Sequence, residues 1–175
     1  MDTKTFVDEQ GFNRILRRIS HEILEQNKGT EDIIFLGVLT RGYPIAKRLT
    51  ENIYAFEGVE LPCFFLDISA YRDDKKVNTD AVTSDCDISI DGKKVILVDD
   101  VISSGRTVRA ALDAISRIGR PGKIEMVAMV DRGHRELPIK PNFIGKNIPT
   151  SKSEFVIVKI HEIDGYDNIS IETRG

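Results

Sequence analysis

The chain has 175 residues, 41% of them hydrophobic and 30% charged, an ordinary globular balance that supports one domain spanning residues 1–175 with a real core. A net charge of −3 argues against a blanket nucleic-acid binder, and no apolar run is long enough to span a bilayer. With no signal-peptide pattern at the start, the cytoplasm is the expected compartment.

In chain order, residues 9–27 read as a helix. Phe12, Ile15, Leu16, Ile19 and Ile23 fall at helical spacing and form a core stripe. Arg14, Arg17, Arg18 and His21 repeat at the same spacing on the opposite face. For a single helix, such a basic face is ordinarily just solvated. Ile33–Leu39 reads as a strand, and Pro44–Ile53 as a helix with Pro in its first turn. Phe64–Ile68 is a strand; Cys63 beside it is a small core residue, and two cysteines without close spacing argue against a disulfide or a metal site. Residues 72–87 are polar, acidic and without periodicity, too long for a mere connector, and read as a lid. Lys94–Asp99 is a strand, and Thr107–Ile118 a helix carrying Val108, Ala111, Leu112 and Ile115, with Gly119 as its cap. Ile124–Val130 and Phe155–Ile160 are further strands. Alternating strands and helices predict an α/β fold: a mostly parallel sheet with helices on both faces.

The segment Val95-Ile96-Leu97-Val98-Asp99-Asp100-Val101-Ile102-Ser103-Ser104-Gly105-Arg106-Thr107 carries the chemistry. A continuous apolar run is the mark of a buried parallel strand, and the carboxyl ends of such strands are where open α/β sheets bind ligands. A helix beginning after Gly105 has unpaired amides and a positive dipole end, which favours phosphate. Ser103, Ser104 and Thr107 add hydroxyls, and Arg106 adds charge. Asp99 and Asp100 are repelled by that phosphate. They suit ribose hydroxyls, or waters around Mg²⁺.

This pattern resembles the 5-phosphoribosyl diphosphate (PRPP) signature of type I phosphoribosyltransferases. Thr40-Arg41-Gly42-Tyr43-Pro44, Tyr71-Arg72-Asp73-Asp74, Val130–Pro138 and Gly145–Ser151 resemble, in order, the PyrR family. Its members attenuate pyrimidine operons and have uracil phosphoribosyltransferase activity. The resemblance implies the type I fold with a flexible hood loop at about 70–90. It implies PRPP and phosphate contacts along Thr40, Arg41, Gly42 and Val95 to Thr107, with a non-proline cis peptide near Thr40–Arg41. It gives catalytic roles to Asp99, Asp100, Arg41 and Arg72, with Mg²⁺ held only through PRPP and water near the twin acids. Uracil would be read near Val130, Asp131 and Arg132, by backbone groups and flat apolar contact. His134 is discounted as a general base, since the chemistry needs little help from one. Another base, such as hypoxanthine or orotate, fits the PRPP loop but not the Val130–Leu137 segment.

The resemblance also implies binding of a stem-loop in pyrimidine leader mRNA, enhanced by the uridine nucleotides UMP or UTP. Arg17, Arg18, His21, His134, Arg135, Lys146 and Lys152 are the candidates. Residues 131–152 hold five basic against two acidic side chains, so a basic surface on an acidic protein is available. The alternative is a salvage enzyme without RNA binding, its basic stripe solvated or buried in an oligomer. A homodimer or hexamer is expected. The chain departs from the family pattern at Ser103, often aromatic, at Ser104, often Thr, and at Gln26, commonly Arg.

Overall fold

The computed structural model describes residues 2–73 and 83–175. Nine residues of the expected hood, 74–82, and with them Asp74, lie outside the described residues. The elements run β1 (Asp2–Val7), α1 (Glu9–Asn27), β2 (Ile33–Val38), α2 (Gly42–Glu57), β3 (Cys63–Leu66), a 3₁₀ turn (Ser69–Tyr71), β4 (Lys94–Ile102), α3 (Arg106–Ile118), β5 (Lys123–Asp131), β6 (Phe143–Asn147), β7 (Glu154–Lys159), α4 (His161–Asp164) and β8 (Asn168–Thr173).

Five strands form a parallel sheet in the order β3-β2-β4-β5-β6. β4 is central, and its apolar run alternates between two cores because successive strand side chains point to opposite faces. Ile96 and Val98 join Phe12, Leu16 and Ile19 of α1 and Ile45, Leu49 and Ile53 of α2. Val95 and Leu97 join Val108, Ala111 and Ile115 of α3. Helices therefore cover both faces, as the alternation predicts. Each fully buried Leu, Ile or Phe contributes about 1.5–3 kcal/mol, so the α1 stripe alone outweighs the weak helix propensity of its β-branched residues.

Several local expectations are corrected. β4 continues to Ile102, so both acids lie within the paired strand, with Asp99 opposite Ala128. α2 begins at Gly42, ahead of Pro44. Leu112, placed on the α3 core stripe by spacing, is exposed; Ala110 and Ala114 are buried instead. The sequence gives no sign of the second sheet, antiparallel in the order β1-β8-β7. It takes in β7, the strand at Phe155–Ile160 that alternation alone would place in the parallel sheet. β1 has only Val7 buried, and β6 passes from Phe143 and Ile144 through Gly145 to the exposed Lys146 and Asn147, so neither presents a periodic apolar pattern. Both cysteines are free; Cys63, expected in the core, is only partly buried and packs against its edge, where burial still pushes the thiol up to about 12. No helix among the described residues is long and apolar enough to cross a membrane.

Candidate active site and basic cleft

Asp99 and Asp100 follow the continuous buried run Val95–Val98 in the second half of β4. Gly42, at the start of α2, packs on this strand end so closely that a Cβ there would lie 2.3 Å from Val98 O and 3.2 Å from Asp99 Cα. Only glycine lets the Thr40-Arg41-Gly42 turn lie beside the acids. A cis peptide joins Leu39 to Thr40, one bond before the expected place. Gly105 caps α3 with φ 92°, a left-handed conformation that turns the chain from β4 into the helix.

These constraints bring Thr40, Arg41, Arg72, Asp99, Asp100 and Thr107 around one cleft of about 490 Å³. Val101 lines it too, as do Asp67 and Ser69, which sequence reasoning did not single out. A smaller recess of about 200 Å³ continues from Arg72 to Ser104, Arg106 and Thr107. Val95 to Val98 are core residues and reach neither space.

The twin acids are bonded along the chain. The Asp100 amide donates to Asp99 Oδ1 at 2.8 Å, and the Val101 amide to Asp100 Oδ1 at 2.8 Å. Asp99 is 7% exposed. Burial, and then the neighbouring Asp100 charge, hold its carboxyl well above the usual carboxylate range. Such a pair calls for a cation or for hydroxyl donors from a ligand.

Arg41 donates to both oxygens of Asp164, at 3.0 and 3.3 Å, while its buried Nε finds no partner among the described residues. Asp164 is 123 positions away, and no local pattern announces it. Arg106 is turned from the loop toward Glu136 (2.8 Å) and Asp73 (3.1 Å), so its charge is already countered. Arg109, not anticipated, reaches Tyr71 O at 3.0 Å and also binds Asp73, fixing the first turn of the hood to α3.

The segment expected to read the base is occupied by internal bonds. Val130 is fully buried. Asp131 accepts from the Gly133 amide (3.0 Å) and from Arg135 (2.7 Å). Arg132 donates to Thr150 Oγ1 (3.1 Å) and Glu154 O (2.8 Å), with its guanidinium over the Phe155 ring. None of these side chains lines the cleft at the acids.

A separate and larger cleft of about 930 Å³ runs along α1. Arg14, Arg17, Arg18 and Lys146 line it together with residues of β1. Arg18 is partly committed to the fold, donating to Gly145 O (2.6 Å), Ile144 O (3.2 Å) and Glu22 (2.7 Å). His21 stacks on Phe56 at 4.0 Å, and Arg17 lies over the same ring. His134, Arg135 and Lys152 do not line this cleft. His134 Nε2 lies 2.6 Å from Thr150 O, and Arg135 is turned inward to Asp131 and Ser103.

A family model of the phosphoribosyl transferase domain matches residues 2–161. Curated proteins named Bifunctional protein PyrR align over nearly the whole chain. That of Clostridium kluyveri is 53% identical, covering 94% of each chain, and that of Limosilactobacillus fermentum 51% identical, covering 96% of this chain and 97% of its own. That of Halalkalibacterium halodurans is 48% identical over 98% of both. Among solved structures, a hypoxanthine phosphoribosyltransferase of Trypanosoma cruzi superposes with a TM-score of 0.74 at 20% identity, covering 98% of this chain and 97% of that one. One from Staphylococcus aureus gives 0.71 at 21% identity, covering 98% and 91%. These structural likenesses establish the fold. The near-complete alignments, together with a strand-end acid pair beside a glycine-capped helix, show that the chain belongs to the PyrR family of bifunctional proteins within the phosphoribosyltransferases.

Proposed function

We infer that this protein regulates pyrimidine synthesis by binding pyr leader mRNA in a uridine-nucleotide-dependent way, promoting transcription attenuation. It also converts uracil and PRPP to UMP and diphosphate. The work is that of a cytoplasmic regulator, and the assembly a homodimer or hexamer.

In the transferase reaction, uracil N1 bonds to the anomeric carbon of PRPP as the bond from that carbon to diphosphate breaks. The transition state carries positive charge on the ribose, and the leaving diphosphate gains negative charge. Asp99 and Asp100 face the ribose and favour its charge. Arg41 and Arg72 stabilise the leaving group electrostatically. The unpartnered Arg41 Nε is a buried donor suited to a diphosphate oxygen. Ser103 to Thr107 receive the 5′-phosphate at the α3 N-terminus. The hard oxygen donors of the twin acids fit hydrated Mg²⁺, whose contribution is to neutralise diphosphate charge. The side chains of Asp131 and Arg132 are engaged internally, and the Arg132 amide and the Asp131 carbonyl are already bonded to Ile102 O and the Ile148 amide, so uracil would be read near Val130 to Arg132 by flat apolar contact and by the remaining lone pairs of the carbonyls.

The convergence of Thr40, Arg41, Arg72, Asp99, Asp100 and Thr107 on one cleft carries the enzymatic reading. Leader RNA would lie along α1, where Arg17, Arg18 and Lys146 line the basic cleft. Purified protein assayed with PRPP, Mg²⁺ and several bases should release diphosphate with uracil and not with hypoxanthine or orotate. Leader-RNA binding measured over a salt series should tighten when UMP is added. Turnover without any RNA binding would leave a salvage enzyme only.

A further inference from the structure

An anion-binding loop must turn its amides toward the ligand. In a trans peptide the carbonyl of one residue and the amide of the next point in opposite directions. Carbonyls held on one side of a loop therefore aim the following amides at the other. The carbonyls of Ile102, Ser103 and Ser104 are all held from one direction. The Arg132 amide donates to Ile102 O (3.1 Å), the Arg135 guanidinium to Ser103 O (2.7 Å), and the Glu136 and Leu137 amides to Ser104 O (2.9 and 3.1 Å). The amides of Ser103, Ser104 and Gly105 are thereby directed away from residues 132–137. Three of these four contacts are backbone bonds. The middle one depends on a side chain, and that side chain does a second thing: Arg135 Nη2 binds Asp131 Oδ2 at 2.7 Å.

We propose that Arg135 is a positioning residue for the transferase reaction, bridging the phosphate loop to the base-reading end of β5. This rests on the reading that Ser103 to Thr107 bind the PRPP phosphate. The guanidinium suits the task because its planar fork reaches a carbonyl and a carboxylate at once; a lysine ammonium lacks that fixed fork. Its side chain is 25% exposed and that of Asp131 is 12% exposed, so the pair is shielded from screening. Arg135 Cδ also stands 3.7 Å from where a Gly105 Cβ would be, so the aliphatic stem supports the loop's turn. Asp131, fixed by Arg135 and the Gly133 amide, in turn holds the end of β5 where uracil is expected. Loss of Arg135 should loosen both subsites, and the phosphate subsite more.

The test compares wild type, Arg135→Gln, Arg135→Lys, Asp131→Asn and the Asp131→Asn/Arg135→Gln double variant. It uses uracil kinetics, PRPP titration calorimetry with Mg²⁺, thermal melting and leader-RNA binding without nucleotide. Arg135→Gln should raise KM for PRPP about tenfold or more, the scale of one charge-assisted hydrogen bond, with a smaller fall in kcat. Arg135→Lys should lie between, and the double variant should lose less than the product of the single losses. If Arg135→Gln fails to fold, Arg135→Lys must still show the KM rise with melting close to wild type. A KM for PRPP within twofold of wild type in Arg135→Gln, or in Arg135→Lys where Gln does not fold, overturns the proposal. So does an effect confined to RNA affinity. A wild type that binds no PRPP would instead overturn the phosphate-loop reading, and this proposal with it.

Discussion

At neutral pH the buried Asp99 carboxyl faces conflicting demands. The role proposed for it, beside a developing positive ribose, would require it charged, while burial and Asp100 resist ionisation. Its folded pKa lies above the unfolded value. The proton-linked stability it provides is therefore present below the unfolded carboxyl range and lost as pH rises through the folded pKa. Above that point, ionised Asp99 destabilises the ligand-free protein. Asp99→Asn keeps the shape and removes the charge, so it should raise Tm at pH 8, by roughly 2–4 °C for each kcal/mol relieved in a chain of this size, and much less at pH 4. Turnover should fall by about 10²-fold or more, as for loss of a group that stabilises transition-state charge. Paired melting scans at the two pH values, with one activity assay, decide it. A lower Tm for the variant at pH 8 would show that the carboxylate is satisfied without ligand. Gly42 gives a second prediction. With Val98 O only 2.3 Å from a Cβ at this position, Gly42→Ala must displace either the loop or β4. It should destabilise by about 1–3 kcal/mol, as overpacking does, and raise KM for PRPP. An alanine variant with unchanged melting and KM would mean that the loop is free to move away from the acids.

α2 follows the Thr40-Arg41-Gly42 turn, proposed to hold the diphosphate, and is clamped two turns later. Arg48 binds Glu162 at 2.6 and 2.7 Å and Asp167 at 2.8 Å through two nitrogens. Asp167 is 5% exposed and Glu162 partly exposed, so this is a half-buried network joining α2 to α4 and to the turn before β8. Removing one partner strands a buried charge, and Arg48→Met should cost about 3–5 kcal/mol. Although partial burial opposes it, Arg48 holds both carboxyls below their usual range. Their contribution is present above the unfolded carboxyl pKa and lost as pH falls through the folded one. The difference in Tm between wild type and Arg48→Met should therefore shrink on acidification. A constant difference down to pH 3 would assign the loss to packing alone. This clamp also marks what the sequence could reveal. The strand of Val95 to Val98, the hydroxyl- and glycine-rich Ser103–Thr107 loop and the two faces of α1 are local patterns, each complete within 20 residues. The pairing of Arg48 with Asp167 or Arg41 with Asp164 spans more than 100 positions and leaves no periodicity. β1 and β6 were hidden for another reason. They sit at sheet edges with few buried side chains, so hydrophobic alternation, the signal that marks a strand, is missing. The segment expected to read the base is a local motif, but the inward turn of Asp131, Arg132 and Arg135 depends on Ser103, Thr150 and Glu154, which come together only in three dimensions.

Across the whole molecule, a net charge of −3 coexists with a cleft between α1, β1 and β6 that is lined by Arg14, Arg17, Arg18 and Lys146. Association with a polyanion depends on this local field rather than on the total, since exposed charges farther than a Debye length of about 8 Å are screened at physiological salt. RNA affinity should thus fall linearly on logarithmic axes as salt rises, with a slope set by the number of phosphates neutralised. Arg17→Ala and Lys146→Ala should each weaken leader-RNA binding and flatten that slope by about 0.7–0.9. Neither residue lines the cleft at Asp99, so uracil turnover should be unchanged. Arg18 needs a different comparison because it also caps the Ile144 and Gly145 carbonyls. Arg18→Ala would lower RNA binding through the fold as well as through charge. Arg18→Lys keeps the charge and loses the fork, so a matching loss of melting temperature in both variants isolates the capping role. A salt slope that survives Arg17→Ala and Lys146→Ala intact would mean that the α1 cleft is not where the RNA backbone lies. The basic stripe would then be a solvated helix face, and the RNA site would have to be sought around His134 and Lys152.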